Sequence, residues 1–298
     1  MMLVKFSLTF MVVFSAVISY LLAPEIIAIS PKMVLLLFAG GFLVTGSANT
    51  INQVVERDTD ALMKRTAKRP LASGRMTPEE GWTFALVSGI AGIFILWYYF
   101  NLLSAGLAAF SLFLYAFIYT PLKKVNSIAV LVGAVPGALP CLIGWAAGHN
   151  ALGGGGWALF SIQFFWQFPH FWAIAWIAHR DYSGAGFKLL PSIEGPTKYS
   201  AIQSIIYSLL LIPVGLLPYL FGMSGWLSAA IIFLSNLAMV WQCVRLYREM
   251  ERKAARRVMF GSYIYLPVVL LALLLNKVPL HQTLEPVGMV EWMKTIGA

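Results

Sequence analysis

The chain has 298 residues, of which 59% are hydrophobic and only 11% charged, and a formal net charge of +9. Soluble domains carry about 25% charged residues, so this composition excludes a soluble globular protein. It fits a polytopic membrane protein in which one helical bundle absorbs the whole chain. The positive surplus sits in the connections between apolar runs, and no nucleic-acid partner is expected.

About nine apolar runs are long enough to cross a bilayer core of ~30 Å. They cover residues 6–28, 33–56, 82–100, 103–120, 127–148, 157–178, 201–221, 225–246 and 258–276. Pro24 breaks the first, and Pro213 and Pro218 lie in the seventh. Bundles tolerate such kinks because neighbours satisfy the freed carbonyls. The first run is long and lacks an A-x-A site, so no cleavable signal is expected.

Most Lys and Arg follow the even-numbered runs. Arg57, Lys64, Arg65, Lys68, Arg69 and Arg75 follow the second, and Lys123 and Lys124 the fourth. Arg180, Lys188 and Lys198 follow the sixth, and Arg245, Arg248, Arg252, Lys253, Arg256 and Arg257 lie around the end of the eighth. The connections after the third, fifth and seventh runs carry none. The positive-inside rule then puts the even loops and the N-terminus in the cytoplasm and the C-terminus outside. The basic residues around 245–257 are assigned to orientation and to anionic lipid.

The expected fold is all-α: one transmembrane bundle over 1–298, with a helical core at about 5–276 and a short outer tail at 277–298. Small residues mark close helix contacts: Gly40, Gly41, Gly46, Ser47 and Ala48, and further on Gly133, Gly137 and Gly144. Gly153 to Gly156 reads as a flexible outer turn. Cys141 and Cys243, far apart in apolar runs, read as small buried hydrophobes.

Chemistry concentrates between Asn52 and Leu71. Asn52, Glu56 and Asp60 stand at i, i+4 and i+8, one helical face with about 6 Å per step. Intramembrane acids are costly unless paired or metal-bound. A single acid here would simply pair with Arg57 or Lys64. The triplet offers Mg²⁺ its preferred oxygen donors, the rest of the shell coming from water and phosphate. Asp58 lies on another face and suits a salt bridge. Arg65 and Arg69 can fork onto phosphate oxygens, and Lys123 or Lys124 can act as point charges. The combination suits a ligand with an anionic diphosphate head, held through a divalent cation, and an apolar tail.

The stretch N-x3-[D/E]-x3-D followed by MxRTxxRPL, at 52–71, resembles the first motif of the UbiA-type intramembrane prenyltransferases. YTPLKKVN (Tyr119–Asn126), GAVPGALPCLIGWAA (Gly133–Ala147) and QFPHFWAIAWIAHRDYSGAGFKLLP (Gln167–Pro191) resemble its protoheme IX farnesyltransferase branch, the PHFW–DY–AG combination being the specific part. The resemblance implies a Mg²⁺-dependent enzyme that moves a farnesyl group from farnesyl diphosphate to a vinyl group of protoheme IX, giving heme O and diphosphate. It implies a bacterial cytoplasmic membrane, an active site facing the cytoplasm, and heme A synthase or terminal oxidase assembly factors as further partners beside the lipid bilayer.

The implied catalytic and metal set is Asn52, Glu56, Asp60 and Asp181. In the second motif Ala185 stands where relatives often have a second acid, and a helix-end salt bridge of Asp181 with Arg180 or Lys198 competes with the metal role. Arg65, Arg69, Lys123, Lys124 and Tyr119 are expected at the diphosphate. His170, Trp172, Asn126 and Tyr182 are expected in the heme or prenyl pocket. His170 reads either as a hydrogen-bonded core histidine or as a porphyrin contact, at the iron or near a propionate. His179 is a weaker candidate, and His149 and His281 fall on the outer side. Trp166, Phe168, Phe171, Trp172 and Trp176 either pack against lipid or line the slot. Two alternatives stay open: a relative acting on a quinone-precursor ring, or a transport or heme-binding membrane protein. Transport is disfavoured because the acids cluster at one rim.

Overall fold

The computed structural model describes residues 3–192 and 194–279. Apolar stretches bounded by Pro, Gly and short polar caps fold into helices, with no β-strand among the described residues. In chain order they are α1 (Phe6–Leu22), α2 (Pro31–Val55), α3 (Arg57–Ala61), α4 (Pro78–Tyr99) and α5 (Leu102–Phe113). A π-helical segment, Leu114–Tyr119, joins α5 to α6 (Thr120–Leu122). Then come α7 (Ala129–His149), α8 (Gly153–Ile177), α9 (His179–Gly184), α10 (Lys198–Leu220), α11 (Trp226–Glu249) and α12 (Arg252–Leu275).

The starts follow local capping chemistry. Thr77 and Glu80 form a reciprocal capping box ahead of α4, with Pro78 in the first turn. Asn101 caps α5 through its Oδ1, and its Nδ2 donates to the Ala146 carbonyl of α7 at 2.7 Å.

Each of the nine apolar runs becomes one long helical segment. Seven are long and apolar enough to cross a bilayer: α2, α4, the continuous Leu102–Leu122 segment, α7, α10, α11 and α12. α1 is apolar but only 17 residues long, and α8 reaches 25 residues while carrying Gln163, Gln167 and His170. The chain is therefore a multi-pass membrane protein.

Several boundaries differ from the sequence reading: α1 ends at Leu22, ahead of Pro24, rather than at 28, and α4 starts at Pro78 rather than 82. Gly153 to Gly156 is not a loose turn but the first turn of α8. A Cβ at Gly155 would come within 2.3 Å of the Trp145 ring, and one at Gly156 within 2.8 Å, so the glycines let that ring pack against the helix. α12 begins at Arg252 rather than near 258, and its first turns are basic. Arg257 and Arg245 both reach the Glu249 carboxylate, which ties α11 to α12. The outer tail lies almost entirely outside the described residues, as does His281.

Small residues set the tightest crossings. A Cβ at Gly92 on α4 would stand 2.7 Å from the Gly40 carbonyl of α2, and one at Gly144 on α7 would stand 1.8 Å from the Ala16 carbonyl of α1. These are backbone-on-backbone contacts of the kind that drives helix association in lipid. α7 and α8 lie inside, and α10, α11 and α12 pack with α8 in the largest apolar cluster, around Trp145, Trp176, Leu211, Leu246 and Leu270. Beyond α12, the Lys277 ammonium donates to the carbonyls of Leu21 (2.8 Å), Ala23 (2.7 Å) and Ile26 (2.9 Å) at the end of α1. This joins the last helix to the first, where helix carbonyls are otherwise unmatched.

Gly144→Val would drive α1 off α7. It is expected to cost about 3 kcal/mol, the upper end of overpacking effects, read as a lowered Tm in detergent. Lys277→Ala is expected to cost about 2 kcal/mol by the same measurement.

Candidate active site

The stack of Asn52, Glu56 and Asp60 spans a break in the helix. Glu56 leaves helical geometry (φ −96°, ψ 11°) between α2 and α3. The hydrogen-bond ladder nevertheless continues: the Glu56 N–H donates to the Asn52 carbonyl at 3.0 Å, and the Asp60 N–H to the Glu56 carbonyl at 2.7 Å. All three side chains are buried at 5% exposure or less. Their faces therefore stay aligned, as the spacing predicts.

Each of the three meets a cation. Arg69 Nη1 donates to Asp60 Oδ2 at 2.7 Å, and Thr66 Oγ1 holds the turn between them by donating to the Asp60 carbonyl at 2.7 Å. Lys123 Nζ lies 2.6 Å from Glu56 Oε1, a contact of charges without an aligned hydrogen bond. Lys5 Nζ donates to Asn52 Oδ1 at 2.9 Å. Neither acid uses the Arg57 or Lys64 that sequence proximity suggests. Arg57 pairs with exposed Asp58 instead. Asp60 Oδ1 is buried with no hydrogen-bond partner among the described residues.

Lys5 was not legible as a site residue: a lone lysine ahead of the first apolar run reads as topology. The fold builds it in. Its backbone is left-handed (φ 48°, ψ 60°). The turn is stitched to α2, where Asn49 Nδ2 donates to the Val4 carbonyl at 3.3 Å and Gln53 Nε2 to the Leu3 carbonyl. Burial, then the nearby Arg69 and Lys123 charges, push the Lys5 ammonium down to about 7, against the pull of Glu56 and Asp60.

The π-helical segment brings Tyr115 and Tyr119 onto one wall, their ring centroids 5.2 Å apart. Such segments recur at functional sites because they shift side chains off the regular helical face. Gly133 on α7 leaves room for the Tyr119 ring, which a Cβ there would approach to 2.6 Å. The Lys123 ammonium lies 4.7 Å from the Tyr119 centroid, so this ring face already holds a cation. Arg65 Nη2 donates to the Tyr182 hydroxyl at 2.8 Å, bridging the basic loop to α9.

These groups open onto one cavity of about 870 Å³, within the ~300–1,000 Å³ typical of small-molecule sites. Lys5, Asn52, Glu56, Asp60, Arg65, Arg69 and Lys123 line the end that carries the basic loops. Three cations, Arg65, Arg69 and Lys123, face two carboxylates there, with Lys5 as a fourth basic group, leaving an excess of positive charge. The walls then become apolar, through Val13, Ala16, Val44 and Pro140 to Leu96 and Ile143 near the far ends of α4 and α7. Gln163, Gln167 and His170 of α8 are the polar groups along the way.

Of the residues read from sequence, Asn52, Glu56, Asp60, Arg65, Arg69, Tyr119, Lys123, His170 and Tyr182 line this cavity, and Phe171 and Trp166 supply rings. Four others do not. Lys124 and Asn126 are exposed, and Asn126 Oδ1 accepts from the Ile128 N–H to turn the chain into α7. Trp172 packs away from the cavity, edge-on to Tyr207 at 5.2 Å. Asp181 is half-buried on α9, off the cavity lining, and no ion pair to Arg180 or Lys198 forms among the described residues. Trp176 and Phe168 belong to the packed interior.

Among the described residues no group of three His, Cys, Asp or Glu side chains is placed to hold a metal. The donor set at the rim is instead one amide oxygen and two carboxylates, with Asp60 Oδ1 unmatched. That composition fits Mg²⁺, which takes one or two carboxylates and fills its shell with water and phosphate.

The profile of the UbiA prenyltransferase family matches residues 12–266. A protoheme IX farnesyltransferase of Cytophaga hutchinsonii is 48% identical over 276 residues, covering 93% of this chain and 96% of that protein. One from Flavobacterium psychrophilum is 41% identical, covering 92% of each. Among solved structures, a digeranylgeranylglyceryl phosphate synthase superposes with a TM-score of 0.76 at 20% identity, over 92% of this chain and 96% of that one. A UbiA homolog from Archaeoglobus fulgidus bound to GPP and Mg²⁺ superposes with a TM-score of 0.61 at 15% identity, over 89% and 95%. The structural likenesses establish the shared fold; together with the profile and the sequence relatives, they mean that the chain belongs to the UbiA prenyltransferase family.

Proposed function

We propose that this chain transfers the farnesyl group of farnesyl diphosphate to a vinyl group of protoheme IX, giving heme O and diphosphate. The observation that carries the reading is a single cavity that joins a cation-rich polar end to a long apolar interior. One end suits a diphosphate and the other a polyprenyl tail and a porphyrin face. The names of the relatives support protoheme as acceptor. The archaeal homolog solved with GPP and Mg²⁺ supports a metal-bound diphosphate. The basic loops at the polar end orient it toward the cytoplasm.

Asn52, Glu56 and Asp60 would hold Mg²⁺, which would draw charge off the leaving diphosphate when bound. Arg69, Lys123, Arg65 and Lys5 offset the negative charge that grows on that group as the C1–O bond breaks and the oxygen keeps the electron pair. The Tyr115 ring lies beside this end and favours the positive charge left on the allyl carbons, the Tyr119 face being taken by Lys123. The vinyl π pair then forms the new carbon–carbon bond. Water adds to the cation on the porphyrin side, and its proton passes to solvent. Apolar walls keep water from capturing the farnesyl cation first. Asp181, off the cavity lining, is given no ligand role.

Membranes holding the chain, supplied with farnesyl diphosphate and protoheme, are expected to yield heme O by mass spectrometry. Prenylated 4-hydroxybenzoate and no heme O from the same membranes would replace protoheme with a quinone precursor. Asp60→Asn is expected to lower heme O formation about 10²–10³-fold with the protein still in the membrane. Undiminished yield from that variant would refute the metal assignment.

A further inference from the structure

His170 lies two turns from the end of α8, next to Pro169, and is 7% exposed. Its ring stacks on Trp166, with centroids 4.9 Å apart and planes 14° apart, and meets Tyr263 edge-on at 5.0 Å. The orientation is therefore fixed from two helices.

The proton position follows from Ser262. His170 Nδ1 and Ser262 Oγ are 2.7 Å apart. A serine hydroxyl has one hydrogen, and Ser262 donates it to the Met259 carbonyl at 2.6 Å. With that hydrogen on the Met259 carbonyl, Ser262 Oγ accepts from His170, which assigns the hydrogen to Nδ1. In a neutral imidazole the other nitrogen, Nε2, is left with its lone pair. Nε2 lies on the ring edge away from Ser262, has no hydrogen-bond partner among the described residues, and belongs to a residue that lines the cavity.

An imidazole with Nδ1–H anchored and Nε2 bare is the arrangement in which histidine ligates metals, the anchor fixing tautomer and ring orientation. Resting on the reading of protoheme as acceptor, we propose that His170 Nε2 is the axial ligand that seats the porphyrin by its iron. Iron ligation places the porphyrin centre over one atom of α8 and sets the vinyl groups at a fixed radius from it. It also makes Ser262 a positioning residue, acting through His170. The other described histidines lack this setting. His149 pairs with Glu25, and His179 lies off the cavity lining against Gly195.

The test uses the purified full chain in detergent, titrated with ferric protoheme and, separately, with metal-free protoporphyrin IX. Wild type is expected to bind the iron form about 10-fold or more tightly than the metal-free form, with a histidine-ligated Soret band and a histidine–iron stretch after reduction. His170→Ala should lose both signatures and the preference for iron, while added imidazole restores the spectrum and His179→Ala keeps it. Ser262→Ala should weaken binding of the iron form about 10-fold and leave metal-free binding unchanged. Equal wild-type affinity for both porphyrins, or an unchanged spectrum in His170→Ala, would overturn the ligand assignment and leave the farnesyl transfer reading standing. If wild type binds neither porphyrin, that reading falls and the ligand with it.

Discussion

The structure depends on how two buried carboxylates are paired with basic side chains at the edge of a membrane bundle. Glu56 and Asp60 are almost fully buried, as is Lys123, and Arg69 is mostly so. Taking four such groups out of water costs more than an equal volume of apolar packing, and buried pairs of this kind rarely add net stability. A bundle that needed only to stay folded would do as well with Leu and Phe at these positions. The pairs also leave the cluster incomplete: Asp60 Oδ1 has no hydrogen-bond partner among the described residues, and the basic groups lining the cavity outnumber the acids. A cluster that is both costly and unbalanced is arranged for a charged ligand, and the sign of the imbalance selects an anion.

The backbone makes this arrangement possible by interrupting its own regularity. At Glu56 the helix breaks but the hydrogen-bond ladder carries across, so the three donors stay stacked while the basic loop folds back beneath them. At Leu114–Tyr119 the chain widens into a π-helical segment and sets two tyrosine rings on one wall. On α7, Pro140 has no N–H for the Pro136 carbonyl, and Ser111 Oγ takes that carbonyl at 3.3 Å. Irregular backbone within a membrane is tolerated where it lines a cavity or is buried in protein, and these interruptions all lie around the same chamber.

Sequence reasoning reached the helices because hydrophobic length is a one-dimensional signal, and it reached Asn52, Glu56 and Asp60 because helical spacing is one too. It placed Arg69 near the acids but named Arg57 or Lys64 as their pairing partners; that Arg69 takes Asp60 depends on how the loop turns at Thr66. Lys123 pairs with Glu56 across 67 positions of sequence, and Lys5 with Asn52 across 47. Neither pairing leaves a local trace. The glycines at 153–156 misled for a related reason: in isolation they signal flexibility, whereas here they make room for Trp145. Trp172 and Asn126 share motifs with cavity residues yet point elsewhere, because motif membership fixes a neighbourhood and not a direction.

α8 carries the remaining argument. It is long enough to span the bilayer, yet its polar residues set it apart from the seven most apolar spans. Gln163 Nε2 donates to the Gly137 carbonyl at 2.7 Å while its Oε1 accepts from Cys141, and Gln167 Nε2 reaches the Ala134 carbonyl at 3.1 Å. These amides clamp α8 to α7. His170 sits three residues beyond Gln167, and only one of its two nitrogens is engaged. Of the three polar side chains that α8 turns inward, the histidine is the one whose unengaged atom is an imidazole nitrogen, the donor type that iron takes.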